Sequence, residues 1–362
     1  MSKSLLLAAS LAALAAPACA QSAGETRLDM AIGGQTLPAM SGGYKAWRYQ
    51  WPAVYFEARF KGNDVTLAFD DPSNNLNVIV DGRLVAILKK PGKTSYSLHK
   101  LGTGPHTIRL EKRSETQYAV GAFKGFFVPA KGDALPAPAF DHAIEFIGDS
   151  GTVGYSNTSA YTQCTPDEIF ETTDSQQGPG ALVGKHFKAA YRVNAFSGLG
   201  MVRNYDGREH PKYHMPMLYT RAVFDNPAPD PAKWTPQIIV VAIGGNDTST
   251  ALHDDEPWKT REALLADYTK TYVAFVKALR AHNPGAHLLI VSPEAGRAEY
   301  AAAVKGVFDT LVADGVARVD LLTLPKTVSD GCNGHPNTRD DADIAKMYTD
   351  YIEAHPEYWR GG

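Results

Sequence analysis

Between Arg27 and about Pro129, apolar and polar positions alternate with a period of two. In "AVYFEARFKGNDVTLAFDD", Val54, Phe56, Ala58 and Phe60 share one face, and Tyr55, Glu57 and Arg59 share the other. "NLNVIVDGRLVAIL" carries the alternation across Asp81-Gly82, a pair that tolerates the positive φ angles of a tight hairpin. "HTIRLEKRS" and "YAVGAFKGFFV" add strands between Gly, Pro and Asn turns. Many short strands without helical intervals predict a β-sandwich, jelly-roll-like, over residues 24–130.

"PAKGDALPAPAFDHA" interrupts this rhythm and marks a linker at 131–142. Beyond it the apolar runs "IEFIG", "QIIVVAIGG" and "HLLIVS" are short and do not alternate. Helical stretches such as "REALLADYTKTYVAFVKALRAHNP" separate them. Strands buried on both faces and joined by helices predict an α/β domain over 143–362, a parallel sheet between helical layers.

The first residues, "MSKSLLLAASLAALAAPACAQSAG", place Lys3 before an apolar stretch too short to span a bilayer, then Ala18-Cys19-Ala20. That is the form of a cleaved signal peptide at 1–20, which predicts a secreted or periplasmic protein. No later stretch is apolar for long enough to cross a membrane. The 362 residues are 44% hydrophobic with a formal net charge of −3. Near-neutral charge gives no electrostatic case for nucleic acid or an anionic membrane as a partner. Cleavage leaves Cys164 and Cys332, and export favours a disulfide between them over two unrelated thiols.

Unusual polar residues follow the predicted strands of the second domain. "IEFIGDSGTVGYSN" sets Asp149 and Ser150 between Gly148 and Gly151, the form of a strand-to-helix turn. A hydroxyl there is exposed, approachable and flanked by free N–H groups. Ser197-Gly198-Leu199-Gly200 and Gly244-Gly245-Asn246-Asp247 are two further turns of this kind, and His335 lies on a late Gly- and Asn-rich loop. Acyl transfer needs a nucleophile, a base, an orienter for that base and donors aimed at the developing oxyanion. Ser150 is the candidate nucleophile and His335 the base. The N–H groups of Ser150 and Gly198 and the carboxamide of Asn246 are the candidate oxyanion donors. Each motif alone also reads as a turn, a helix cap or a surface histidine. Their conjunction in one α/β domain is what points to chemistry.

"GDS", the "SGLG" turn, "GGND" and "GHP" resemble the four sequence blocks of the SGNH, or GDSL-type, hydrolases. The closer resemblance is to carbohydrate esterase family two, which joins an N-terminal jelly roll to an SGNH domain. It extends over "WPAVYFEARFKGNDVTLAFDD", "NVIVDG", "IEFIGDS", "SGLGMVRNY", "IGGNDTS" and "GCNGHPN", nearly the whole mature chain. The resemblance implies a three-layer α/β hydrolase domain, a serine esterase that removes acetyl groups from sugars, and the roles given above for Ser150, Gly198, Asn246 and His335. The chain departs from the pattern before the histidine, where acidic residues are expected and Cys332 and Asn333 stand. Asp330 would then orient the imidazole if the loop folds back. Otherwise Asn333 or a backbone carbonyl holds the ring and leaves a Ser–His dyad, the arrangement we favour slightly.

No metal or organic cofactor is called for, and the expected partner is an acetylated polysaccharide or oligosaccharide. Asp149, Tyr213, His214, Trp258 and Asn333 are the substrate-side candidates; for the aromatic rings core packing competes with stacking on a sugar face. Two other readings stand beside the carbohydrate esterase. One is a general SGNH esterase or lipase acting on lipid esters. The other is a carbohydrate-binding protein with an inactive esterase domain.

Overall fold

The structure is a computed structural model that describes residues 25–129, 133–230, 234–293, 297–324 and 329–360. The expected signal peptide and residues 131–132 of the expected linker lie outside the described residues.

Eleven strands precede the linker: β1 (Thr26–Arg27), β2 (Met30–Gly33), β3 (Leu37–Ser41), β4 (Tyr44–Tyr49), β5 (Tyr55–Lys61), β6 (Val65–Asp71), β7 (Asn75–Val80), β8 (Arg83–Lys89), β9 (Gly92–Leu98), β10 (Pro105–Lys112) and β11 (Gly121–Val128). They form two antiparallel sheets, ordered β3-β4-β11-β6-β9 and β2-β5-β10-β7-β8, with β1 against the end of β11. The runs 4-11-6-9 and 5-10-7-8 are the strand order of a jelly roll, as the alternation predicts. In β5 the alternation becomes burial: Phe56, Ala58 and Phe60 face the core, while Arg59 and Lys61 face solvent. Asp81 and Gly82 both take positive φ (50° and 76°), the backbone of a two-residue hairpin joining β7 to β8. The described part of the linker is not free chain. Ala134 bridges Phe60, and the Leu135 N–H donates to the Arg59 carbonyl.

The second domain has five parallel strands: β12 (Ala143–Gly148), β13 (Ala190–Ala195), β14 (Ile238–Ala242), β15 (His287–Ser292) and β16 (Val319–Thr323), in the order β13-β12-β14-β15-β16. Among the described residues seven helices accompany them: α1 (Ser150–Val153), α2 (Pro166–Thr172), α3 (Pro179–His186), α4 (Met215–Leu218), α5 (Arg261–His282), α6 (Ala298–Ala313) and α7 (Thr338–Glu353). Side chains of α5 and α6, including Tyr272, Val276, Val304 and Val307, join Ile147, Val241 and Ile290 in one core. Val183 of α3 and Ile344 and Tyr348 of α7 join Ile144, Phe146 and Val240 in another. These are the two outer layers of a three-layer domain. The short, half-buried β16 was not singled out in the sequence, because its five residues carry a weaker apolar signal than the central strands.

The two domains share a packed boundary. Trp51 is fully buried, its ring against Phe224 and its indole N–H donating to the Arg221 carbonyl at 2.8 Å. Gln35 donates to the Asn194 side chain at 3.1 Å, and the Tyr55 and Tyr191 rings meet at 4.7 Å. In this strand order the chain's connections depart in opposite directions from β12, and a crevice opens at the strand C-termini on either side of it. The site lies there.

Candidate active site

Ser150 opens α1 directly after β12. Asp149 caps that helix, its carboxylate accepting from the Gly151 N–H at 3.2 Å, so Ser150 is held at the helix N-terminus with its hydroxyl at the cleft mouth. Gly148 is required by proximity: a Cβ there would press on Thr152 and lie 2.8 Å from the Ala242 carbonyl of the neighbouring strand. Burial pushes the Asp149 carboxyl up to about 6, against the opposing pull of the Gly151 N–H and the Arg297 charge.

His335 reaches Ser150 from 185 residues away, with Nε2 at 2.8 Å from Oγ. Its other ring nitrogen, Nδ1, donates to the Cys332 carbonyl at 3.3 Å. That contact selects the tautomer in which Nε2 accepts the serine proton. Burial first, and then the positive Arg297, hold the imidazole pKa below its ordinary value, while the backbone of Cys332 and Asn333 opposes that shift. A neutral base at neutral pH is the result. The Asp330 carboxylate accepts instead from the Asn337 side chain. Of the orienters the sequence left open, Asp330 is the one to correct: its carboxylate is taken by Asn337, and a backbone carbonyl, the alternative favoured there, stands at the imidazole.

Cys164 and Cys332 form a disulfide with Cα atoms 5.9 Å apart, and the Asn333 N–H donates to the Thr162 carbonyl at 2.9 Å. The loop's far side is tied as well. Asn157 donates to buried Asp341 at 2.8 Å, and its carbonyl accepts from the Thr338 N–H at 3.0 Å. Tyr155 lies against the imidazole, with ring centroids 4.3 Å apart, and its phenol is engaged by the Asn333 side chain.

Asn246, nearly buried, follows β14 and lines the same cleft as Ser150 and His335, a space of about 430 Å³. Its Nδ2 donates to the Leu199 carbonyl at 2.8 Å and makes a long 3.5 Å approach to Asp149, which lines the same cleft. The first contact fixes the orientation of the amide. Gly198 follows β13 with φ of 84°, and a Cβ would lie 2.5 Å from Glu209 and 3.0 Å from His210. Among the described residues its N–H has no partner, whereas those of Phe196, Ser197, Leu199 and Gly200 all donate. Gly198 is not a lining residue of the cleft itself. Asp247, read in the sequence as a possible helix cap, accepts from the N–H groups of Met201, Val202 and Arg203 at 2.8–2.9 Å and anchors the loop after Gly198.

The aromatic expectations fare differently. Tyr213 is buried, its hydroxyl on Asp225, and its ring belongs to the core around Phe224. His214 precedes α4 with its Nδ1 buried. Trp258 donates to Asp267 on α5 at 3.0 Å. None of the three lines the cleft: Tyr213 is a core residue, and His214 and Trp258 are half-buried away from it. Asn333 acts on Tyr155 rather than on the cleft, and Asp149 alone of the substrate-side candidates lines it. Tyr205, Arg297 and Tyr300 also line the cleft and were not singled out in the sequence. Arg297 carried a usable signal, since it follows the exit of β15 as Ser150 follows that of β12. Among the described residues no group of three or more His, Cys, Asp or Glu side chains is placed to hold a metal ion, and no helix is long and apolar enough to cross a membrane.

The family models described as "Carbohydrate esterase 2 N-terminal" and "GDSL-like Lipase/Acylhydrolase family" match residues 42–138 and 146–356. An acetylxylan esterase / glucomannan deacetylase of Cellvibrio japonicus (strain Ueda107) is 41% identical over 335 residues, 92% of each chain. A solved carbohydrate esterase, described as having an active site with divergent catalytic and non-catalytic binding functions, has a TM-score of 0.86 at 40% identity. The match covers 92% of this chain and 100% of that one. A family two carbohydrate esterase from Clostridium thermocellum, solved in complex with cellohexaose, has a TM-score of 0.77 at 23% identity over 91% of this chain and 100% of the other, a likeness of fold.

Proposed function

Because the chain belongs to the GDSL-like lipase/acylhydrolase family, and within it to the carbohydrate esterases of family 2, we propose that it is an exported serine esterase removing O-acetyl groups from plant-type polysaccharide. Xylan and glucomannan are the substrates in view, with primary 6-O positions of hexoses as the target on the latter. The observation that carries this reading is the 2.8 Å contact between Ser150 Oγ and His335 Nε2 in a cleft that Asn246 also lines.

In the proposed cycle the Ser150 hydroxyl gives its proton to Nε2 as Oγ bonds to the acetyl carbon. The carbonyl electron pair moves onto oxygen, where the N–H groups of Ser150 and Gly198 and the Asn246 amide receive it. Collapse breaks the bond to the sugar oxygen, which takes the proton from His335. Water then attacks the acetyl-enzyme, again losing its proton to His335, and acetate leaves as Ser150 regains its hydrogen. The Cys332 carbonyl fixes the tautomer but carries no full charge, so it stabilises the imidazolium less than an Asp would. Tyr205, 47% exposed at the cleft wall, offers the ring face for a sugar. The apolar leader supports export.

The test compares wild type and Ser150→Ala on p-nitrophenyl acetate, on acetylated xylan and glucomannan, and on a long-chain ester. Acetate release that disappears with Ser150 is the expected result. A preference for the long-chain ester would point to lipid substrates, and sugar binding without hydrolysis to a binding protein.

A further inference from the structure

The loop between β10 and β11 crosses from the sandwich into the hydrolase domain and ends on Ser197, the residue before the candidate oxyanion glycine. Both oxygens of Glu115 are used there. The Ser197 N–H donates to Oε1 at 2.8 Å and its hydroxyl to Oε2 at 2.6 Å. The Ser197 carbonyl accepts twice, from Gln117 Nε2 and from His210 Nε2, each at 3.1 Å. His210 is held in turn by the Tyr118 hydroxyl on its Nδ1. The loop is itself braced: Gln50 donates to the Gln117 carbonyl at 2.9 Å, and Arg113 pairs with Asp174 at 2.7 Å.

We infer that the β-sandwich completes the oxyanion site, with Glu115 and Gln117 acting as positioning residues for the Ser197–Gly198 peptide. The carbonyl and the Gly198 N–H are two ends of one planar group, so holding the first aims the second. Donors on the carbonyl also polarise the peptide and strengthen its N–H as a donor. Every polar group of Ser197 is occupied by this clamp, and the Gly198 N–H is left with no partner among the described residues. The negative charge of Glu115 opposes an oxyanion nearby, and buried Lys112 offsets it. Geometry, not charge, is therefore the contribution of Glu115. This inference rests on the proposed esterase for its kinetic consequence, but the clamp has a readout of its own.

The experiment uses the full chain with Gln117→Ala, Glu115→Ala and Glu115→Gln, measuring kcat and KM on p-nitrophenyl acetate, thermal melting, and amide hydrogen exchange of the 196–204 segment. Losing one neutral hydrogen bond to the peptide should lower kcat about fivefold in Gln117→Ala. Losing two charge-assisted bonds should lower it about 10- to 100-fold in Glu115→Ala. KM should stay within about twofold, because the interaction strengthens only in the transition state. Glu115→Gln keeps one acceptor and should recover part of the loss. The 196–204 amides should exchange faster in both alanine variants at unchanged melting temperature. Unchanged exchange with kcat within twofold would overturn the inference, as would a kcat loss that merely follows a loss of stability. If wild type fails to hydrolyse esters, the proposed function falls and the exchange result still decides the clamp.

Discussion

One loop brings His335 to Ser150 and another carries Gly198, the proposed oxyanion donor, and the two are held by different means. The His335 loop is secured from within its own domain, by the Cys164–Cys332 disulfide on one side and by Asn157 with Asp341 and Thr338 on the other. The Ser197–Gly198 turn is secured from the neighbouring domain, by side chains of a sandwich loop. The base must shuttle a proton and needs its ring fixed in one tautomer at one distance. The oxyanion donor needs only a fixed direction. A covalent tie suits the first task, because the histidine loop lacks an acidic partner that would hold the ring directly. Hydrogen bonds from a braced loop of the neighbouring domain suffice for the second.

The strongest break of the comparison is on the donor side. Asn246→Ala leaves the base and nucleophile in place and removes a transition-state contact worth about 3–4 kcal/mol, so kcat should fall roughly 100- to 1,000-fold. A fall of less than about tenfold, by steady-state kinetics, would show that Gly198 and Ser150 hold the oxyanion without it.

Titration sharpens the base side. The His335 pKa lies below its ordinary value, so the neutral form persists to lower pH than for a free imidazole. Activity should stay level through neutrality and fall about tenfold per pH unit only below a midpoint under 6.5. Asp149, at about 6, titrates over the same span. The midpoint should not move in Asp330→Ala, whose carboxylate lies on Asn337. A pH–rate profile displaced by that variant would restore Asp330 as the orienter.

The smallest expected effect on rate is that of the disulfide. Its sequence separation of 168 residues sets a ceiling of about 5 kcal/mol on its entropic contribution to stability. The double variant Cys164→Ser/Cys332→Ser should melt at lower temperature. Because Asn157, Thr338 and Tyr155 still hold the loop, it should lose only about three- to tenfold in kcat. Full activity at a lowered melting temperature would mean that the covalent tie serves stability alone and that the contrast between the two loops is one of folding.

Much of this molecule is legible in one dimension. A period of two wrote the inward face of β5 and the hairpin at Asp81-Gly82, and unbroken apolar runs wrote the buried parallel strands. Short, chemically specific turns after β12, β13 and β14 marked where strand ends would gather, because strand C-termini in such sheets share one edge. Side chains whose partners lie in another layer were not legible. Tyr213 looks like a sugar platform in the chain and is a core residue in space, and Trp258 lies outside the cleft with its indole on Asp267. Tyr205 looks ordinary in the chain and lines the cleft.

The sequence by itself therefore determined the two architectures and which residues are the candidates for the reaction, since periodicity and residue chemistry are local properties. Only the tertiary structure decided that a carbonyl orients the imidazole and that Glu115 of one domain grips Ser197 of the other. The second pairing depends on which surfaces meet when two cores pack, which no local period encodes. The first spans only three residues, but the path of that loop is set by ties to Cys164 and Asn157, far away in the chain.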